Sequence, residues 1–248
     1  MAHYTLLFFL IVCTLFSSCH NQKTKVVIEG DLHHGGNRMI RLARIEDAGL
    51  VMLDSCYMQN GHFEFNVVAR TPEEETILAL PMLYQLIVNQ DNSITTMAQS
   101  NEHLSVVADA DNMIRSYHVL GGEEAMLMVT LDSALTVFIL QTDSLWTCYQ
   151  QAMENDSLRV RVEQDYNLLV ENHTAFLRQF IQAHPSNMAS YIAFYQRYNR
   201  KKFFDEEKDF ELLEALTDRL SQQYPDHPYM IRMQQKVENI KNLKYDTD

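Results

Sequence analysis

Two hydrophobic periods divide the chain. His62-Phe63-Glu64-Phe65-Asn66-Val67 alternates strictly, with Phe63, Phe65 and Val67 on one face. That is the period of a half-buried strand. It follows Asn60-Gly61, a hairpin signal, and Val51–Tyr57 supplies the strand before the turn. The same reasoning predicts strands over 25–29, 39–43, 76–80, 84–88, 93–97, 103–108 and 115–119. Many short strands about ten residues apart suggest an antiparallel β-sandwich. The links 32–38, 69–75 and 90–92 carry the expected turn residues.

Beyond position 122 the period changes. Val162, Tyr166, Leu169, His173, Phe176 and Phe180 recur at steps of three and four, one stripe of a helix over 158–183. Asp156-Ser157 reads as its N-cap and His184-Pro185 as its stop. Ser186-Asn187 can cap a helix over 188–198. Phe210, Leu213, Leu216, Leu220 and Tyr224 form another stripe closed by Pro225, and Pro228 suits the first turn of a last helix ending near Asn242. Residues 123–155 read as one long helix, continuous or broken, carrying the only tryptophan, Trp146. Glycine agrees: all seven glycines lie at or before position 122, and the last 126 residues have none. Glycine serves turns and weakens helices. The expected class is therefore α+β, an N-terminal antiparallel β-sandwich followed by a C-terminal bundle of four or five helices.

A third pattern opens the chain. Residues 6–16 are an apolar run followed by Ser17-Ser18-Cys19. The run is too short to span a bilayer and fits a signal peptide. Small residues before a cysteine predict a lipoprotein signal, with Cys19 acylated as the new N-terminus. A plain cleaved secretory signal and an uncleaved anchor are the alternatives; the absence of Lys or Arg from residues 1–5 is a departure from the usual pattern. The expected division is signal peptide 1–18, polar tether 19–25, β-sandwich 26–120 and helical domain 123–243.

Composition narrows the function classes. The net charge of −13 comes with no basic face, so nucleic acid is not an expected partner. The short Arg200-Lys201-Lys202 cluster reads as a solvated loop between helices. Cys13 lies in the signal and Cys19 takes lipid, which leaves Cys56 and Cys148. They fall in different predicted domains and read as two thiols rather than a disulfide, although an exported protein permits one.

The order of motifs adds a resemblance. Val27-Ile28-Glu29-Gly30, Val51-Met52-Leu53-Asp54-Ser55, Asn60-Gly61-His62-Phe63-Glu64-Phe65 and Tyr117-His118-Val119-Leu120-Gly121-Gly122 resemble successive strands of domain of unknown function family 4369. His184-Pro185-Ser186-Asn187 and Tyr224-Pro225-Asp226-His227-Pro228 resemble turns of the helical region that follows it. In that family these parts stand before a thioredoxin-like domain, in lipid-anchored thiol:disulfide interchange proteins of Bacteroidetes envelopes. The tether has no acidic cluster, which on this resemblance implies a periplasm-facing lipoprotein, with the outer membrane favoured, rather than surface export. Here the sequence ends at Asp248 without that domain or its Trp-Cys-x-x-Cys motif, so no catalytic residue carries over.

No residue set spells a reaction. His33-His34 beside Gly35-Gly36 could bind a transition metal, but no spaced carboxylate or third histidine accompanies it, and a turn filler is the simpler reading. Asp109-x-Asp111-Asn112 starts like a calcium loop but lacks the required glycine and terminal glutamate. His173 on its apolar stripe reads as a hydrogen-bonded core histidine. Glu73-Glu74-Glu75 reads as a solvated run in a loop. The resemblance to Bacteroidetes envelope proteins implies O-glycosylation at the Asp-Ser-apolar triplets of Ser133, Ser144 and Ser157; the alternative is that these serines are simply N-caps. No catalytic, metal or cofactor-binding residue is assigned. The expected function is a non-catalytic envelope lipoprotein that binds a protein partner or a small envelope ligand, alongside a separate thioredoxin-like protein. Two alternatives stay open: a thiol-dependent role of Cys56 or Cys148, and a degenerate paralogue that has lost its working domain.

Overall fold

The computed structural model describes residues 24–46, 48–89, 92–152 and 155–245. The signal segment, Cys19, the tether as far as residue 23, and Gln90-Asp91 of one predicted turn lie outside the described residues. The strands are β1 Lys25–His33, β2 Met39–Glu46, β3 Gly49–Tyr57, β4 His62–Val68, β5 Met82–Asn89, β6 Asn92–Ala98, β7 His103–Asp109 and β8 His118–Leu120. Two short helices interrupt them, α1 Pro72–Leu78 and α2 Met113–Ser116. The α+β class holds: a β-sandwich precedes a helical bundle.

One sheet runs β4-β1-β7-β8 and the other β3-β2-β5-β6. Alternation aims one row of each strand inward. Ile28, Phe63, Phe65, Leu104 and Val106 from the first sheet meet Ile40, Leu42, Tyr84, Leu86 and Ile94 from the second in one core. The pairs are antiparallel except β1 with β7, which run parallel. Gly30 of β1 sits where the neighbouring strand and a core ring approach closely. A Cβ there would stand 2.2 Å from the Val106 carbonyl oxygen and 2.9 Å from the Phe63 ring.

The helices are α3 Glu123–Gln151, α4 Asp156–Ala183, α5 Met188–Tyr195, α6 Phe210–Gln223 and α7 Pro228–Tyr245, with a small ribbon of β9 Arg197–Tyr198 and β10 Lys201–Lys202. They cover the outer face of the second sheet. Leu83 and Met97 point away from the sandwich into a second core with Met128, Leu177, Phe194, Leu213 and Met230. This explains why β5 is apolar on both faces over Met82–Ile87, apart from Gln85.

One polar tie holds the helical layer together, and two join it to the second sheet. Glu124, 4 % exposed, accepts from the backbone N–H of Met188 at 2.8 Å and Ala189 at 2.9 Å, capping α5 from the start of α3. Tyr229 Oη donates to the Ile45 carbonyl at 3.1 Å. Buried His227 accepts from Tyr229 N at Nδ1 and donates from Nε2 to the Pro81 carbonyl, which fixes its tautomer.

Several boundaries differ from the sequence reading. Residues 76–80, expected as a strand, mostly belong to α1. Thr71 caps Glu74 N, Pro72 opens the helix, and Glu73, Glu74 and Glu75 favour its positive end. These local signals outweigh the strand preference of Thr76 and Ile77. The acidic run is thus the first turn of a helix, not a loop. Residues 115–119 split into the end of α2 and the start of β8. The N-cap of α4 is Asn155, whose side chain accepts from Leu158 N. The helix expected over 188–198 stops at Tyr195, and Lys201-Lys202 pair with Arg197-Tyr198 instead of forming a plain loop.

Candidate functional site

α3 and α4 form an antiparallel hairpin that outruns its support. Among the described residues, no side chain beyond Ile139 on α3 or before Leu169 on α4 belongs to either core. The last twelve residues of α3 alone extend about 18 Å at 1.5 Å per residue. This arm is only two helices thick. Val162 is buried there, and Ala152 closes its end. Helices draw most of their stability from packing an apolar face, yet this arm leaves apolar side chains outside. Leu140, Trp146, Leu158, Val160 and Leu168 are each at least 40 % exposed.

A cleft of about 500 Å³ runs along the arm. Leu145, Trp146, Tyr149, Val162 and Tyr166 line it, with Glu163 the single charged side chain. The Trp146 and Tyr149 rings stack at 5.8 Å, making a flat aromatic wall. The solvent side of α3 carries Met126, Thr130, Ser133, Val137, Leu140, Ser144, Thr147 and Gln151, all exposed and uncharged. Their steps alternate between four and three, the repeat of a helix seam. On a chain with a net charge of −13, an uncharged helix face is a distinctive surface. Among the described residues α3 is also the one helix long and apolar enough to cross a membrane, with 22 % of its most apolar stretch buried. Its near half is a core helix: Ala125, Met128, Leu131 and Phe138 are buried.

The second concentration of chemistry is the outer face of the first sheet. β-strand alternation puts Glu29, Asp31 and His33 of β1 beside His62 and Glu64 of β4 and His103 and Asp109 of β7. His62 Nδ1 meets Asp31 Oδ1 at 3.0 Å, and His103 Nε2 meets Glu29 Oε1 at 3.0 Å. At the end of the sheet, His34 Nδ1 meets Asp109 Oδ2 at 3.0 Å. Backbone N–H donation from Asp111, then the nearby His34 and His33, hold the Asp109 carboxyl below the usual range. The sequence offered His33-His34 and Asp109-x-Asp111 as unrelated fragments; the parallel pairing of β1 with β7 brings them together.

The remaining expected positions are now placed. Cys56 and Cys148 are unpaired. Cys56 is half-buried on β3, and burial followed by the Asp54 charge pushes its thiol up. Cys148 is exposed on the arm. His173 is a buried core histidine, hydrogen-bonded to Gln196 Oε1 at 2.8 Å among Phe138, Phe176 and Phe203. Burial pushes its pKa down. Ser133, Ser144 and Ser157 are all exposed on α3 and α4. Asp132 of the first triplet is occupied: it accepts from Tyr117 Oη at 2.6 Å. The arm itself was missed in the sequence, because an apolar helix reads as a buried one; the signal available was the run of residues 125–151 with only Asp132 and Asp143 charged.

No family model matches the chain, and no curated protein matches it. One solved structure, a candidate cell adhesion protein from Bacteroides ovatus, aligns at 11 % identity over 41 % of this chain and 44 % of that one. Its TM-score is 0.21, so the likeness carries no argument about fold or function.

Proposed function

We propose that the chain is a non-catalytic lipoprotein of the cell envelope, anchored through Cys19, that presents the α3–α4 arm to a protein partner. The observation that carries this reading is the apolar arm and its aromatic cleft. A two-helix projection with exposed Trp146, Leu140 and Val160 suits helix or aromatic docking. The cleft has one carboxylate and no paired acid, base or nucleophile in its lining, which favours binding over turnover. The order of strand motifs supports a role beside a thioredoxin-like partner that carries the redox chemistry. Glycans on Ser133 and Ser144 would lie on the exposed side of α3, so the intact mass of the native protein bears directly on which face is open.

The test is photo-crosslinking in native envelopes. A photoreactive residue replaces Trp146 or Val160 on the arm, or Ser105 on the opposite sheet as a control. The expected result is a specific protein adduct from the arm positions alone. Equal capture from all three positions, or none from the arm, overturns the proposal. Cys19→Ala should release the protein from the membrane fraction; retention there would refute the anchor.

A further inference from the structure

We infer that His34, Asp109 and Asp111 form a site for a divalent transition-metal cation of the zinc class. One ligand atom from each lies within 4.8 Å of the other two. Tetrahedral zinc, with bonds of about 2.0–2.2 Å, spaces its donors roughly 3.4 Å apart. His34 Nδ1 and Asp109 Oδ2 already stand at 3.0 Å, so closing the set needs only a small turn of Asp111. The Asp111 side chain is 67 % exposed and has room to make it.

The elements supply the frame. His34 follows β1 in the left-handed region, at φ 57°, and Asp109 ends β7. Asp109 Oδ1 accepts from Asp111 N at 2.9 Å, which leaves Oδ2 toward the imidazole. Asp111 Oδ1 accepts from Arg38 Nη1 at 2.9 Å. Arg38 also donates to the carbonyls of His34 and Gly35. A guanidinium thus stands beside the carboxylate, and a metal ion would compete with it. His33 is the register partner of Asp109, so a second imidazole stands on the same sheet face.

An imidazole nitrogen with two carboxylates selects the metal class. Calcium and magnesium take oxygen ligands in larger numbers; a mixed nitrogen and oxygen set favours zinc, nickel or copper. Bound there, the cation would replace the proton shared by His34 Nδ1 and Asp109 Oδ2. It would also tie the turn after β1 to the loop after β7, 75 residues away.

The experiment is calorimetric titration of the detergent-solubilised full chain with zinc chloride alone. His34→Asn keeps a residue that tolerates positive φ, and Asp111→Asn removes a second ligand. His62→Asn is the control, since His62–Asp31 offers one imidazole and one carboxylate. The expected result is one equivalent of zinc, weakened at least about tenfold by His34→Asn and by Asp111→Asn. His62→Asn should leave it unchanged, and Arg38→Ala should tighten it. Zinc uptake that survives both ligand substitutions, or magnesium or calcium bound as tightly as zinc, overturns the assignment.

Discussion

Replacing Glu124 by alanine tests whether the helical layer is tied together at one point. The carboxylate accepts from two buried N–H groups at the start of α5, at 2.8 and 2.9 Å, and from Asn187 Nδ2 at 3.4 Å. A hydrogen bond to a charged group contributes about 1.5–3 kcal/mol, and each buried donor left without an acceptor costs about 1–3 kcal/mol. Solvent reaches 4 % of Glu124, so water cannot readily take over. Glu124→Ala should therefore cost about 3–4 kcal/mol. At a urea slope of about 3 kcal/mol per M, that lowers the unfolding midpoint by about 1 M. Far-UV circular dichroism is the right probe, because Trp146 on the arm reports local surroundings away from this tie. Glu124→Gln keeps one acceptor and separates charge from hydrogen bonding. Burial raises Glu124 above its ordinary 4.5, against the opposing N–H donors of Ala189 and Met188. A raised folded-state pKa means stability that is fully present below that ordinary value and lost as pH rises through the folded one. Glutamine does not titrate, so the advantage of the native protein over Glu124→Gln should shrink as pH rises above the ordinary 4.5. An alanine midpoint within about 0.2 M of the native value, or a glutamine gap that widens with pH, would refute the reasoning.

Four further outcomes follow from the structure. Gly121→Ala should cost at least about 3 kcal/mol in a denaturant titration, because φ is +107° and the new Cβ would meet the His103 carbonyl oxygen at 1.9 Å. Gly36→Ala, at φ +55° with open space around it, should cost only about 1–2 kcal/mol. Tyr117→Phe removes the donor that lowers Asp132 while burial still raises it. The loss should be about 1.5–3 kcal/mol near neutral pH and smaller below the ordinary Asp value of 3.8, read from unfolding midpoints at both. Cys148 should react with maleimide in the native protein at least about tenfold faster than Cys56, whose thiol is half-buried and pushed up; equal rates, followed by mass spectrometry, would contradict the burial.

The sequence carried the fold where a segment has one period and a clean stop. His62–Val67 and the stripe from Val162 to Phe180 are such cases, and both stand in the structure. It misled where a short cap motif decided the outcome: Thr71-Pro72 starts a helix in a stretch whose next residues favour strand. The candidate sites were legible only in pieces. His34 and Asp109 meet because β1 pairs with a strand about 75 residues later, and a parallel pairing leaves no turn signature to read. The arm was hidden for the opposite reason. Apolar composition shows that a helix needs cover, but not that its far half extends past the elements that could provide it.

The position of β1 has a mechanical consequence. This first described strand lies inside its sheet, joined to β4 on one edge and β7 on the other, with seven register pairs on each side. A chain held by its N-terminal end passes tension directly into that strand, along its axis. The ladder bonds on both edges then share the load in shear and must yield together, rather than opening one after another like a zipper. The strand nearest the expected attachment point is therefore the one best placed to resist pulling.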